Sequence, residues 1–568
     1  MSQTTAVGTT NDLFSKHSAT LQAALDAIAA RTFYARWPEA PSPKVYGENA
    51  QAEGLARFDS QVGQPYSGLL QGSDGSMACK EVSPYTGQPL NISYPSRKNP
   101  SEYVHIADSL RTEWRKSDLQ TRAGILIESL ERVAARFFEL ASATQHTTGQ
   151  SWIMSFQASG PHSNDRALET VAMAWQELNR FPEKAEWVKP SGKDKEGNMR
   201  YTTLHKQWRK EPIGVSLCIG CSTFPVWNTT PAIYGSLMTG NPVIVKPHPT
   251  AIYPIALVVE EIQKTLKENG FSPEIVQLAT DTPEAPIAKI LADDARVKLI
   301  DYTGGSAFGD YLEALSGKRV FTEKAGINSV VLHSTKNMKA MMGNIAFSLS
   351  LYSGQMCTCP QNIFIPKGGI GTPEGMVSYE DTIAALTFAI KDLMEKAGAG
   401  VLGAIQNPAT YDRTRQVQDS GLKVLLPAQE ISNPEFPQAR NLTPTVLEVP
   451  ADRRDAIGKE MFGPITYVVP VEDYQEGIAL ARNLATEHGA ITFSAWCTDA
   501  AAIEYMADEM AQSFTSVSFN FVGGIWVNQS AGFSDFHVTG GNPAGNASLT
   551  DPEFVLRRFE WVGVRVHP

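Results

Sequence analysis

The chain has 568 residues, 42% hydrophobic and 19% charged, with 49 basic and 60 acidic side chains for a net charge of −11. That describes a globular chain of two to four domains, and the acidic balance argues against nucleic acid or an anionic membrane surface as a main partner. Six cysteines are too few for a disulfide scaffold, no apolar run is long enough to span a bilayer, and residues 1–7 lack a basic stretch followed by an apolar one, so a cytoplasmic protein is expected.

The first hundred residues, with Pro38, Pro41, Pro43 and Pro65, carry no usable motif and read as an extension wrapping the body. Apolar spacing through Ile125, Ile127, Leu130, Val133 and Phe137 predicts a helix over 124–144. A polar turn over 193–198, followed by alternation over 201–205, predicts a hairpin at 191–210 whose strands leave the main body. Apolar runs at 213–220, 242–245, 275–278 and 297–300 read as buried strands, with helices at 251–269 and 283–293. Strand–helix alternation of this kind implies a parallel sheet with right-handed crossovers. The last residues, Phe554-Val555-Leu556 through Val564, again read as strand.

Cys357 lies in Ser353-Gly354-Gln355-Met356-Cys357, 34 residues after Glu323 in Phe321-Thr322-Glu323-Lys324-Ala325-Gly326. A thiol can attack a carbonyl carbon at neutral pH, and a carboxylate within reach can activate the water that releases the acyl group. The thiolate is expected to be favoured by a helix N-terminus or a nearby cation. Taken singly, each residue also has a bland reading: a core thiol and a solvated acid. The segment Tyr302-Thr303-Gly304-Gly305-Ser306-Ala307-Phe308-Gly309 follows an apolar strand and opens a helix, a setting that favours phosphate. It departs from G-x-G-x-x-G, because Ser306 takes the middle glycine's place. These residues alone leave Glu323 open between a catalytic acid and a ribose-binding one. Cys218-Ile219-Gly220-Cys221 lacks the second pair or nearby His of a zinc site and reads as core packing, and Cys359 reads as pocket lining; no metal site is expected.

Gly354-Gln355-Met356-Cys357 and Glu323-Lys324-Ala325-Gly326, in this order and at this spacing, resemble the nucleophile and general-base motifs of the aldehyde dehydrogenase superfamily. Glu460-Met461-Phe462-Gly463-Pro464 resembles a third motif, whose Glu and Phe hold the nicotinamide ribose and ring. The likeness runs from about residue 100 to the C-terminus. It implies that Gly304 and Gly309 cover the cofactor pyrophosphate and that Lys246, in Val245-Lys246-Pro247-His248-Pro249, reaches the adenosine ribose. Pro249 stands where members preferring NAD carry a Glu, so NADP is favoured over NAD. Thr223, before Phe224-Pro225, stands where most members carry an oxyanion-holding Asn.

The resemblance implies an α/β fold in five pieces. These are an N-terminal extension with the first part of a Rossmann-like cofactor domain (1–190), an oligomerisation hairpin (191–210), the rest of the cofactor domain (211–322), an α/β catalytic domain (323–547) and a C-terminal oligomerisation strand (548–568). A homodimer or homotetramer follows, because the hairpin would otherwise leave its edges bare. Within the superfamily the chain is most similar to the branch found in bacterial phenylacetic acid degradation. The runs 42–48, 146–150, 300–304, 347–358 and 527–531 carry that likeness. It implies oxidation of a semialdehyde of aromatic catabolism, carried as a coenzyme A thioester or free. The rival expectation is a degenerate member that binds nucleotide and partners without turnover.

Overall fold

The strand leading into the glycine turn and the strand ending at the candidate base belong to one sheet. In the computed structural model, which describes residues 7–523, 540–546 and 551–568, a long hairpin pairs β1 (Lys184–Lys193) with β2 (Met199–Pro212). Two residues later the chain enters β3 (Val215–Ile219), followed by β4 (Val243–Lys246), β5 (Val276–Leu278), β6 (Val297–Thr303) and β7 (Arg319–Glu323). These last five make a parallel sheet in the order β5-β4-β3-β6-β7. Every residue of β3, β4 and β5 is buried, as the near-continuous apolar runs require of strands covered on both faces. The chain starts at β3, winds outward to β5, then crosses back to β6 on the other side. The switch point therefore lies between β3 and β6, and ligands of such sheets bind outside the carboxyl ends at that point.

A second sheet begins six residues after Glu323. Its strands are β8 (Ser329–Leu332), β9 (Asn362–Pro366), β10 (Lys423–Leu426), β11 (Thr445–Glu448), β12 (Ile465–Val471), β13 (Thr492–Trp496) and β14 (Ser516–Phe519). They lie in the order β10-β11-β12-β9-β8-β13-β14, all parallel except β10 against β11. Helices Met338–Ser350 and Tyr379–Ala397 cover one face and Tyr474–His488 with Ala500–Ala511 the other.

The hairpin starts seven residues earlier than its predicted 191: the strand Lys184–Lys193 is exposed at almost every position, so no apolar alternation announces it. Residues 554–556, expected as strand, belong to a short helix, Glu553–Leu556. Only then does β15 (Phe559–Val566) pair with β2, along Phe559↔Pro212 to Val566↔His205. Between them Arg558 is fully buried under the cofactor sheet. Its guanidinium makes two bonds to the Asp301 carboxylate of β6, at 2.8 and 2.6 Å, and its carbonyl accepts from Asn241 Nδ2 at 2.9 Å.

The helix expected over 124–144 is two helices, Leu119–Ala134 and Phe137–Thr148. They break at Arg136, whose guanidinium is drawn sideways to Glu139, Glu260 and Glu261. Against them lies the N-terminal extension. Helix Val7–Ala30 buries Leu21, Ala24 and Ala27, and His17 bonds Glu128 at 2.7 Å. Further on, Glu81 accepts from the Ile252 and Tyr253 amides at 2.6 and 2.7 Å, capping helix Tyr253–Glu268 with a buried carboxyl.

Candidate active site

Cys357 stands at the junction of two cavities. A cleft of about 510 Å³ opens at the carboxyl ends of β3 and β6, and a narrower tunnel of about 180 Å³ lies on its other side. Of the described residues lining each, only Phe224 and Cys357 line both.

The chain reaches Cys357 through a strained turn. Helix Met338–Ser350 gives way to Leu351–Gly354, in which Tyr352 (φ 53°), Ser353 (φ 50°) and Gly354 (φ 63°) are all left-handed. Two such non-glycine residues cost about 1–3 kcal/mol each and persist only where neighbours over-determine them. Here the Tyr352 hydroxyl donates to the Thr148 carbonyl at 2.6 Å and the Ser353 hydroxyl to the Leu402 carbonyl at 3.1 Å. The Gln355 amide donates to the Tyr352 and Ala404 carbonyls, both at 3.1 Å. A Cβ on Gly354 would collide with the Gly463 carbonyl. Asn328, just ahead of β8, pins the far side: its Nδ2 donates to the Cys357 and Cys359 carbonyls at 2.7 and 3.1 Å.

Glu323 is the last residue of β7, in register with Thr303 at the end of β6. Its carboxylate hydrogen-bonds the Cys357 thiol and accepts from Asn228 Nδ2 at 3.0 Å. Burial first, and the facing Glu323 second, push the Cys357 pKa well above its usual range. The expectation of a cation-stabilised thiolate is therefore corrected: the lysines of this cleft are already paired. Lys324 meets Asp310 and Glu313 at 2.7 and 2.8 Å, and Lys246 meets Asp281 at 2.7 Å. The Glu323 carboxylate faces that thiol directly.

Most of the expected residues gather here. Thr223, Lys246, Gly304, Glu323, Cys357, Glu460 and Phe462 all line the cleft. Gly309 does not: it sits inside helix Ser306–Glu313, where a Cβ would strike the Lys324 stem, so its place is packing beneath the glycine turn. The Thr223 carbonyl accepts from Gln150 Nε2 at 2.8 Å, while its hydroxyl bonds the Cys221 thiol. Cys218 is buried in β3, while Cys221 lines the cleft. Glu460, largely desolvated, has its pKa raised to about 7 and accepts weakly from the Gly326 amide at 3.4 Å.

A dinucleotide fits this wall. Gly305 leaves open space where a side chain would stand, at the mouth of helix Ser306–Glu313. The buried Lys246–Asp281 pair offers both a cation and a carboxylate at the end of β4. The aldehyde dehydrogenase family model matches residues 71–545. The chain belongs to the aldehyde dehydrogenase family. It is similar to the crystal structure of an NAD-dependent aldehyde dehydrogenase from Burkholderia multivorans, 42% identical with a TM-score of 0.94, over 98% of this chain and 99% of that one. The 1-pyrroline-5-carboxylate dehydrogenase from Thermus with bound NAD shares the fold at 17% identity, with a TM-score of 0.71 over 94% and 99% of the two chains. A 1-pyrroline-5-carboxylate dehydrogenase of Bacillus cereus is 22% identical over 77% of this chain and 82% of its own. Like other members of its family, this aldehyde dehydrogenase is an oxidoreductase.

Sequence reasoning missed Asp281, Asn328 and Gln150, each of which acts on a partner far along the chain. Trp227 was also missed, although Phe224-Pro225 marks the first turn that carries it. That turn sets Trp227 on the tunnel and Asn228 on the cleft, on either side of Cys357. The run 527–531 lies outside the described residues.

Proposed function

We propose that this enzyme oxidises an aldehyde to its carboxylic acid through a thioester on Cys357. The observation that carries the reading is the placement of Cys357 between cleft and tunnel, with the Glu323 carboxylate on its thiol. Glu323 accepts the Cys357 proton as sulfur bonds to the aldehyde carbon, giving a thiohemiacetal. Thr223 and Asn228 are side-chain donors that share the cleft wall with Cys357 and serve the oxyanion. The bound nicotinamide supplies the hydride acceptor. Glu323 releases the thiol proton to solvent, then takes one from the water attacking the thioester, and the C–S bond breaks with Cys357 leaving as thiolate.

For the cofactor we favour NAD. Pro249 supported NADP by leaving a carboxylate out, yet Asp281 brings one from the end of β5 to Lys246. A 2′-phosphate beside Asp281 would meet like charge. The NAD dependence of the Burkholderia multivorans relative supports the same choice. Glu460 and Phe462 hold the nicotinamide half, and Gly304 faces the pyrophosphate.

The similarity of the runs named above to the phenylacetic acid branch supports a substrate from aromatic catabolism. A coenzyme A carrier would have to remain outside so small a tunnel. The exposed β1 edge, with Trp187 and Val188 exposed, supports a homodimer or homotetramer built by sheet extension. Six free cysteines suit a reducing compartment such as the cytoplasm.

The test is rapid mixing of enzyme, NAD and benzaldehyde. Glu323→Gln should release one equivalent of NADH in a burst and then stall. Wild-type turnover by Cys357→Ser would overturn the reading.

A further inference from the structure

The tunnel beyond Cys357 has a definite chemistry. Met154, Trp227, Phe347, Leu351 and Val401 give it apolar walls. Among the described residues lining it none is Lys, Arg, Asp or Glu. Its 180 Å³ equals about six waters at their liquid volume, room for one ring or a short chain. The aromatic wall is rigid: the Arg166 guanidinium lies 3.8 Å from the Trp227 ring centroid, on a buried arginine, and Phe224 meets Trp227 edge-on at 6.3 Å. A ring clamped by a desolvated cation holds its plane and presents a fixed face.

His162 also lines this tunnel. Its Nε2 already meets Glu39 of the N-terminal extension at 2.8 Å, and that carboxylate is half exposed. An incoming anion would thus find the imidazole, among the described residues lining the tunnel, already engaged by a carboxylate of like charge. Moving a carboxylate into an apolar slot without a partner is strongly unfavourable.

Building on the proposed aldehyde oxidation, we infer that the tunnel selects uncharged aldehydes with one aromatic ring or similar apolar bulk. Carboxylate-bearing semialdehydes are excluded. Trp227 sets the fit for the ring, and the Glu39–His162 pair, contributed in part by the extension, rejects the anion.

Benzaldehyde and 4-carboxybenzaldehyde form a pair matched in shape and differing in charge. The expected ratio of kcat/KM is on the order of 100 or more in favour of benzaldehyde, the cost of an unpartnered buried carboxylate. Succinic semialdehyde should fare no better than 4-carboxybenzaldehyde. Gln157→Arg, which plants a cation in the tunnel wall, should raise kcat/KM for 4-carboxybenzaldehyde about tenfold or more. Trp227→Ala should lower that for benzaldehyde far more than Trp227→Phe does. A benzaldehyde to 4-carboxybenzaldehyde ratio within about threefold of unity in the wild type would overturn the inference.

A second readout does not depend on turnover: protection of Cys357 from iodoacetamide by benzamide or by its 4-carboxy analogue. Selective protection by benzamide supports the tunnel chemistry even if no aldehyde is oxidised, in which case only the catalytic reading falls. Equal protection by both, in an enzyme that turns over aldehydes, removes the tunnel inference and leaves catalysis standing.

Discussion

Asn228 Nδ2 donates to Glu323 Oε2 across 3.0 Å, tying the first turn of helix Pro225–Met238 to the carboxylate that faces the Cys357 thiol. A hydrogen bond to a charged group contributes about 1.5–3 kcal/mol. Asn228→Leu should therefore slow thioester hydrolysis on the order of 10- to 100-fold, while leaving an NADH burst visible in rapid mixing. Asn228→Asp should be slower still, because two carboxylates would then face each other. A steady-state rate unchanged in Asn228→Leu would show that Glu323 needs no such support.

The same carboxylate raises the pKa of Cys357. Removing its charge in Glu323→Gln should lower that pKa, since a neutral amide no longer opposes the thiolate. Alkylation of the resting enzyme by iodoacetamide between pH 7 and 8 should become faster in this variant, although turnover falls. Slower alkylation would show that the Glu323 charge does not hold the Cys357 pKa up.

Asp281 and Lys246 form a buried pair at 2.7 Å. Asp281→Asn should free the lysine for a 2′-phosphate and raise the NADP-to-NAD ratio of kcat/KM by about tenfold or more. Lys246→Ala in that background should cancel the gain. A ratio unmoved by Asp281→Asn would separate this pair from cofactor choice.

Asp165 accepts from the Arg36 amide at 2.8 Å, and its Oδ2 has no hydrogen-bond partner among the described residues. Burial raises its pKa to about 8, as it raises that of Glu460 to about 7. In the unfolded chain both release their protons near pH 4. Between about pH 4 and 8 the folded protein therefore holds more protons, and its stability falls as pH rises. Asp165→Asn should flatten that fall in a melting series, by a contribution on the order of 3–5 kcal/mol across the window. An unchanged slope in the variant would place the pH dependence elsewhere.

The chemistry of the site was more legible than its supports. Cys357, Glu323 and the glycine turn announce themselves by residue type and spacing, and the sheet by its apolar runs. Asp281, Asn328 and Gln150 carry no local signature, because each is defined by a backbone or side chain brought near only by the fold. The turn before Cys357 shows the same limit: Gly354 hints at a left-handed bend, but nothing in Tyr352 or Ser353 foretells that they share it. Thr223 is placed by its position alone, and the bond between its hydroxyl and the neighbouring Cys221 thiol has no signature in the sequence. The hairpin's first strand escaped because a strand exposed on both faces lacks alternation.

Arg558 follows Asp301 by 257 positions, yet it neutralises that carboxylate in strand β6 of the cofactor sheet. Synthesis runs from the N-terminus, and domains generally fold as they emerge. The sheet holding Asp301 is therefore made long before its counter-charge, and the carboxylate waits unmatched until the segment around Arg558 has left the ribosome. The first sheet thus completes its charge balance only after every strand of the second has been translated.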